Sequence, residues 1–129
     1  MPHIVVEHSG NLSGSLDVAG LLQCLKQAAV ETGQVQEEGL RIRTLASEHS
    51  LVGDGHPGNA FIHITVRIRP GRSEAVKTRI VENLHEAACA WLQPQFETMA
   101  LGLTIELQEI DIAFRRLRST LPTSPELIK

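Results

Sequence analysis

Hydrophobic residues recur along this chain in two rhythms, every second position in some segments and every third or fourth in others. His3 to His8 is short and β-branched, with Ile4 and Val6 on the side of Pro2, and predicts a strand at the start of the chain. The polar, glycine-bearing stretch Ser9 to Ser15 predicts a loop. From Asp17 onward Val18, Leu21, Leu22, Leu25, Ala28 and Ala29 share one helical stripe, with Asp17 or Ser15 available as a cap and Gly33 as a stop. Leu40 to Val52 predicts a second strand, with Arg41 and Arg43 on one face and Leu40 and Ile42 on the other. The run Gly53 to Gly58, which contains Pro57, is a loop. Ala60 to Arg69 alternates most cleanly, setting Ile62, Ile64, Val66 and Ile68 against Phe61, His63, Thr65, Arg67 and Arg69. After the turn Pro70-Gly71-Arg72, Ser73 caps a second helix with the stripe Val76, Ile80, Leu84, Ala87, Ala88 and Trp91, which Pro94 kinks or ends. Leu101 to Ile110 predicts the last strand, and the tail with Pro122 and Pro125 is irregular.

The order strand, helix, strand occurs twice, which predicts an α+β fold built from two tandem β-α-β units. These form a single domain over 1–129, with halves 2–57 and 58–115 and a tail 116–129. Right-handed crossovers place both helices on one face of a four-stranded sheet. The other face, carrying Phe61, is left uncovered and is expected to pack against further copies of the chain.

Composition narrows the function. The chain has 129 residues, 42% hydrophobic but only 3% aromatic, so its core is aliphatic. No apolar run approaches the roughly 20 residues of a membrane span, and no basic-then-apolar leader opens the chain, so a cytoplasmic protein without a membrane partner is expected. The formal charge of −3 argues against a nucleic-acid partner, although local arginines can still hold a small anion. Cys24 and Cys89 form no C-x-x-C pair and are expected to stay reduced on helix faces.

Two kinds of residue carry candidate chemistry. Removal of Met1 would leave Pro2 as a terminal secondary amine, and burial and nearby guanidinium groups would lower its pKa from the usual 7.7–8.0 or so and make it a base. Arg41, Arg43 and Arg72 suit carboxylates, since guanidinium forks bind them with paired hydrogen bonds, and Arg72 also sits at a helix N-terminus. Arg67 and Arg69 are expected to be solvated charges, and Arg115, Arg116 and Arg118 a polar C-terminal surface. His3, His8, His49, His56, His63 and His85 show no metal-ligand spacing, so no metal is expected. Nucleotide-binding glycine motifs are absent.

Met1-Pro2-His3-Ile4-Val5-Val6-Glu7, Gly39-Leu40-Arg41-Ile42-Arg43, Ala60-Phe61-Ile62-His63-Ile64 and Gly71-Arg72-Ser73 together resemble the 5-carboxymethyl-2-hydroxymuconate isomerases of the tautomerase superfamily. The resemblance implies a homotrimer with inward-facing sheets and a keto–enol tautomerisation of a carboxylated 2-hydroxydienoate in aromatic compound degradation. It also implies Pro2 as the base and no cofactor. Arg41 and Arg72 would then hold the substrate's carboxylates, Arg43 would be tied more loosely to the site, and Phe61 would form part of its apolar wall. The chain departs from the pattern of the smaller tautomerases in two places. The loop Gly10-Asn11-Leu12-Ser13 has no arginine, and the second half opens on Asn59-Ala60 rather than on a proline, so one catalytic proline per chain is expected. The alternatives are a superfamily enzyme with another substrate, or a non-catalytic module that senses a small ligand.

Overall fold

The computed structural model describes residues 2–122, so Met1 and Pro125 lie outside the described residues. The elements are β1 (His3–Ser9), α1 (Val18–Glu31), β2 (Arg41–Ser47), β3 (Ala60–Ile68), α2 (Glu74–Trp91), α3 (Gln93–Thr98) and β4 (Leu101–Glu109), with short 3-10 turns at Gly10–Leu12, Glu37–Gly39 and Ile112–Phe114. The sheet order is β2-β1-β3-β4. β1 pairs parallel with β2, β3 pairs parallel with β4, and β1 meets β3 antiparallel at the centre. The two β-α-β units are thus joined back to back through their first strands.

Strand alternation explains the layering, because successive side chains point to opposite faces. Ile4 and Val6 from β1 and Ala60, Ile62, Ile64, Val66 and Ile68 from β3 are buried beneath the helices. They meet Leu21, Leu25, Ala28 and Ala29 of α1 and Ile80, Leu84 and Ala88 of α2. Both helix starts form as the sequence predicts: Asp17 accepts from the Gly20 N–H at 3.0 Å, and Ser73 accepts from the Val76 N–H at 3.2 Å. Gly33, with φ of 74°, turns the chain away just past the end of α1.

Two boundaries differ from expectation. β2 stops at Ser47 rather than continuing to Val52, because it is an edge strand paired with β1, which ends at Ser9, opposite Ser47. Pro94 neither kinks α2 nor simply ends the helical region: α2 closes at Trp91 and Pro94 sits in the first turn of a new helix, α3, where its missing N–H is not needed. Trp91 belongs to the apolar stripe but is 39% exposed. Its indole lies over Gly20 of α1, where a Cβ atom would collide with the ring.

Opposite the helices the sheet face is open. Across β2-β1-β3-β4 it presents the rank Arg41, His3, Arg67, Gln108, then Arg43, Val5, Thr65, Glu106, then Leu45, Glu7, His63, Thr104. No helix among the described residues is long and apolar enough to cross a membrane.

Candidate active site

The end of the sheet where β1 begins collects most of the residues singled out by the sequence. Pro2 immediately precedes β1, and its carbonyl accepts a 3.0 Å hydrogen bond from the Arg41 N–H, so the parallel ladder with β2 fixes Pro2 beside the start of that strand. The antiparallel register pairs His3 with Arg67, so Pro2 also lies next to the end of β3 and the turn that follows it.

Arg72 occupies that turn, after Gly71, whose φ of 114° suits glycine. Its guanidinium straps two segments together, with Nη2 donating to Gln34 O at 2.6 Å on the α1–β2 connection and Nη1 to Arg69 O at 3.3 Å. Arg72 Nε is buried and makes no hydrogen bond. A guanidinium carries five N–H donors, so this strap leaves donors for a ligand. Arg41 Nη1 donates to Gly39 O at 2.8 Å, which fixes its stem against the other side of the same connection.

Arg43 stands one rank further in on the open face, with Nη1 3.3 Å from His3 Nδ1. The His3 pKa is lowered, first by burial and then by the positive charges of Arg43, Arg41 and Arg67. Positive charges of this kind disfavour any protonated amine placed close to them.

Phe61 is not part of this end. It lies at the start of β3, where its N–H donates to Ser9 Oγ at 3.0 Å. Six residues separate it from Arg67, about 20 Å along an extended strand. Within one protomer it therefore does not wall the Pro2 site.

Another group escaped the sequence reading. Arg67, expected to be a solvated charge, and Arg115 and Arg116, expected to be polar surface, line one open groove of about 490 Å³ with His3, Asp111 and Phe114. Arg67 and Arg116 remain exposed, as expected, but Arg115 is half-buried, with Nε and Nη1 shut off from solvent and without a hydrogen-bond partner. A signal was available in the topology. β4 runs parallel to β3, so a chain leaving β4 emerges at the Pro2 end of the sheet. Among the described residues no three His, Cys, Asp or Glu side chains converge as a metal site would require.

Comparison with known proteins identifies the family of the chain. The profile of the 5-carboxymethyl-2-hydroxymuconate isomerase family covers residues 2–121. The chain is 29% identical to the 5-carboxymethyl-2-hydroxymuconate Delta-isomerase of Escherichia coli over 110 residues, 85% of this chain and 87% of that one. A 5-carboxymethyl-2-hydroxymuconate isomerase structure from Deinococcus radiodurans superposes with a TM-score of 0.85 at 26% identity, over 92% of this chain and 90% of the other. A fused 4-OT protein solved as a symmetric trimer gives a TM-score of 0.64 at 20% identity, over 84% and 85% of the two chains, and shares the fold. With almost its whole length inside the family profile, the chain belongs to the 5-carboxymethyl-2-hydroxymuconate isomerase family and is an isomerase.

Proposed function

We propose that the protein catalyses a cofactor-independent keto–enol tautomerisation of 5-carboxymethyl-2-hydroxymuconate or a similar carboxylated 2-hydroxydienoate, with Pro2 as the base. The observation that carries this reading is the gathering of Arg41, Arg72 and the lowered-pKa His3 around the chain position that becomes the terminal amine once Met1 is removed. In the reaction the Pro2 nitrogen accepts the proton of the 2-hydroxyl group. The O–H bond breaks, the C2 oxygen becomes a ketone, and the proton returns to a carbon further along the conjugated chain, so the product is an isomer of the substrate. Arg41 and Arg72 hold the carboxylates, and a guanidinium beside C2 stabilises the oxyanion as it develops. Arg43, which touches His3, reinforces the field that keeps the amine unprotonated.

We further propose that the working form is a homotrimer. The open face presents Val5, Leu45 and Phe61 among its polar residues, with Leu45 54% exposed, and the fused 4-OT trimer shares this fold.

The test compares wild type with Pro2→Ala, both confirmed by mass to lack Met1, following the ultraviolet change of a 2-hydroxymuconate. The expected loss in kcat/KM is about a hundredfold or more. Material that retains Met1 should be inactive, because its Pro2 nitrogen is then an amide. Equal rates for Met1-free wild type and Pro2→Ala would overturn the assignment.

A further inference from the structure

A second constellation of chemically capable side chains lies on the helix layer, away from the open face of the sheet. His85 and Cys89 are four positions apart on α2, so they stand one turn apart on the same face of the helix. Each follows a buried residue of the core-facing stripe, Leu84 and Ala88, which puts the pair at the border of the buried face. The imidazole is exposed and the thiol half-buried. Cys89 Sγ lies 3.6 Å from His85 Nε2 and 3.9 Å from His85 Nδ1. Spacing among the histidines alone does not reveal the pair, because its second member is a cysteine.

The separation suits a metal ion. Zn²⁺ takes a thiolate sulfur at about 2.3 Å and an imidazole nitrogen at about 2.0–2.1 Å in a tetrahedral shell, and two such ligands at the tetrahedral angle stand about 3.6 Å apart. That is the observed distance from Sγ to Nε2. Sulfur with imidazole nitrogen is a donor set for zinc rather than for calcium or magnesium, which take oxygen. The surrounding charge has the matching sign, since from Ile80 to Ala100 the chain carries Glu82, Glu86 and Glu97 and no Lys or Arg. Glu82 stands three positions before His85 and Glu86 three before Cys89, so both flank the pair on the helix surface. Among the described residues no three His, Cys, Asp or Glu side chains converge, so water completes the shell. Cys24 supplies the contrast. Its thiol donates to Ala87 O at 3.6 Å and burial pushes its pKa up, which disfavours the thiolate that a metal needs.

We propose that His85 and Cys89 form a two-point chelate for Zn²⁺ on the surface of α2, separate from the isomerisation site. Bound zinc closes a ring across the last two turns of the helix and stiffens its C-terminal end. Both ligands bind metal in their deprotonated forms, so loading releases the thiol proton to solvent and strengthens as pH rises.

The experiment exposes the full chain to a thiol-specific disulfide reagent with and without zinc, and identifies the labelled cysteines by peptide mass. Zinc should slow the labelling of Cys89 by about tenfold or more, while leaving Cys24 unchanged. His85→Ala should remove that protection, and His85→Cys, which keeps two zinc ligands at the same spacing, should restore it. Co²⁺ in place of zinc should give a thiolate-to-metal absorption band that Cys89→Ser abolishes. Absence of zinc protection at Cys89 in wild type overturns the proposal, as does equal protection in His85→Ala. Should His85→Ala alter the Trp91 emission of the folded protein, the cobalt band decides: its persistence in Cys89→Ser also overturns the chelate. The kcat/KM on a 2-hydroxymuconate should be the same in these variants as in wild type, and a loss there would tie the pair to the isomerisation instead of to a separate site.

Discussion

The two ends of the sheet are the corresponding ends of two copies of one β-α-β unit, and they have been put to opposite uses. At one end stand Pro2 and the turn Gly71-Arg72-Ser73. At the other, the equivalent positions are Asn59-Ala60 and the loop Gly10-Asn11-Leu12-Ser13, and there the polar groups are satisfied by one another. Asn11 Nδ2 donates to Asn59 O at 2.8 Å and to Pro57 O at 3.2 Å. Ser9 Oγ donates to Asn11 Oδ1 at 2.6 Å and accepts from the Phe61 N–H. Asn59 Nδ2 reaches Val52 O and Asp54 Oδ1, both at 2.9 Å, and the His56 N–H and the Asn59 side chain hold the Asp54 carboxyl below its usual pKa. The Pro2 end instead keeps Arg72 Nε and two Arg115 nitrogens buried without acceptors. The same architecture thus serves as a closed polar staple at one end and as a set of unspent cationic donors at the other, the end where the proposed site lies.

The contrast predicts different consequences of mutation at the two ends. The largest effect is expected from Arg72→Ala, about 2 to 4 kcal/mol of transition-state stabilisation, measured as kcat/KM on a 2-hydroxymuconate. A change within experimental error would reduce Arg72 to a strap between Gln34 and Arg69. At the opposite end Asn59→Ala should cost about 1 to 3 kcal/mol of stability in a denaturant titration while the kcat/KM of the folded protein stays unchanged. Lost activity there would break the comparison, and would show that the staple end of one copy serves the site of another.

The smallest effect concerns His3. Its folded pKa lies below the unfolded value of about 6.5, so above that pH it contributes nothing. As pH falls through about 6.5 toward the folded value the unfolded chain takes up the proton first, and stability declines until the folded His3 is protonated too. Arg43→Gln should move the His3 titration, followed by proton NMR, upward and shallow the decline in Tm over that window. An unmoved titration would remove Arg43 from the electrostatics of the site.

Most of this organisation is legible in the sequence because it depends on short-range rules. Period-two alternation in Ala60–Ile68, the caps at Asp17 and Ser73 and the stop at Gly33 are local, and β3, α1 and α2, which they define, form within a few residues of the expected bounds, whereas the early end of β2 and the separate helix α3 depend on partners and packing beyond the local pattern. Pro2, Arg41 and Arg72 were legible as types suited to a base and to carboxylates, and the fold brings them to one end. Within the protomer Phe61 lies at the far end of β3 from Pro2, a separation that depends on the direction of β3, which an alternation pattern does not encode. Arg115 was missed for a related reason. Its burial arises only after Ile110 bonds to Ile68, forty-two positions earlier, a contact with no local signature.

The indole seated on Gly20 has a use of its own. The chain contains one Trp and no Tyr, so its intrinsic fluorescence comes almost wholly from Trp91, on the helix layer and on the side of the sheet away from the open face. Its emission reports whether α1 and α2 remain docked and is little affected by ligands or neighbours arriving on the opposite side. Unfolding of the protomer and events on the open face can therefore be followed separately in the wild-type molecule without an added dye.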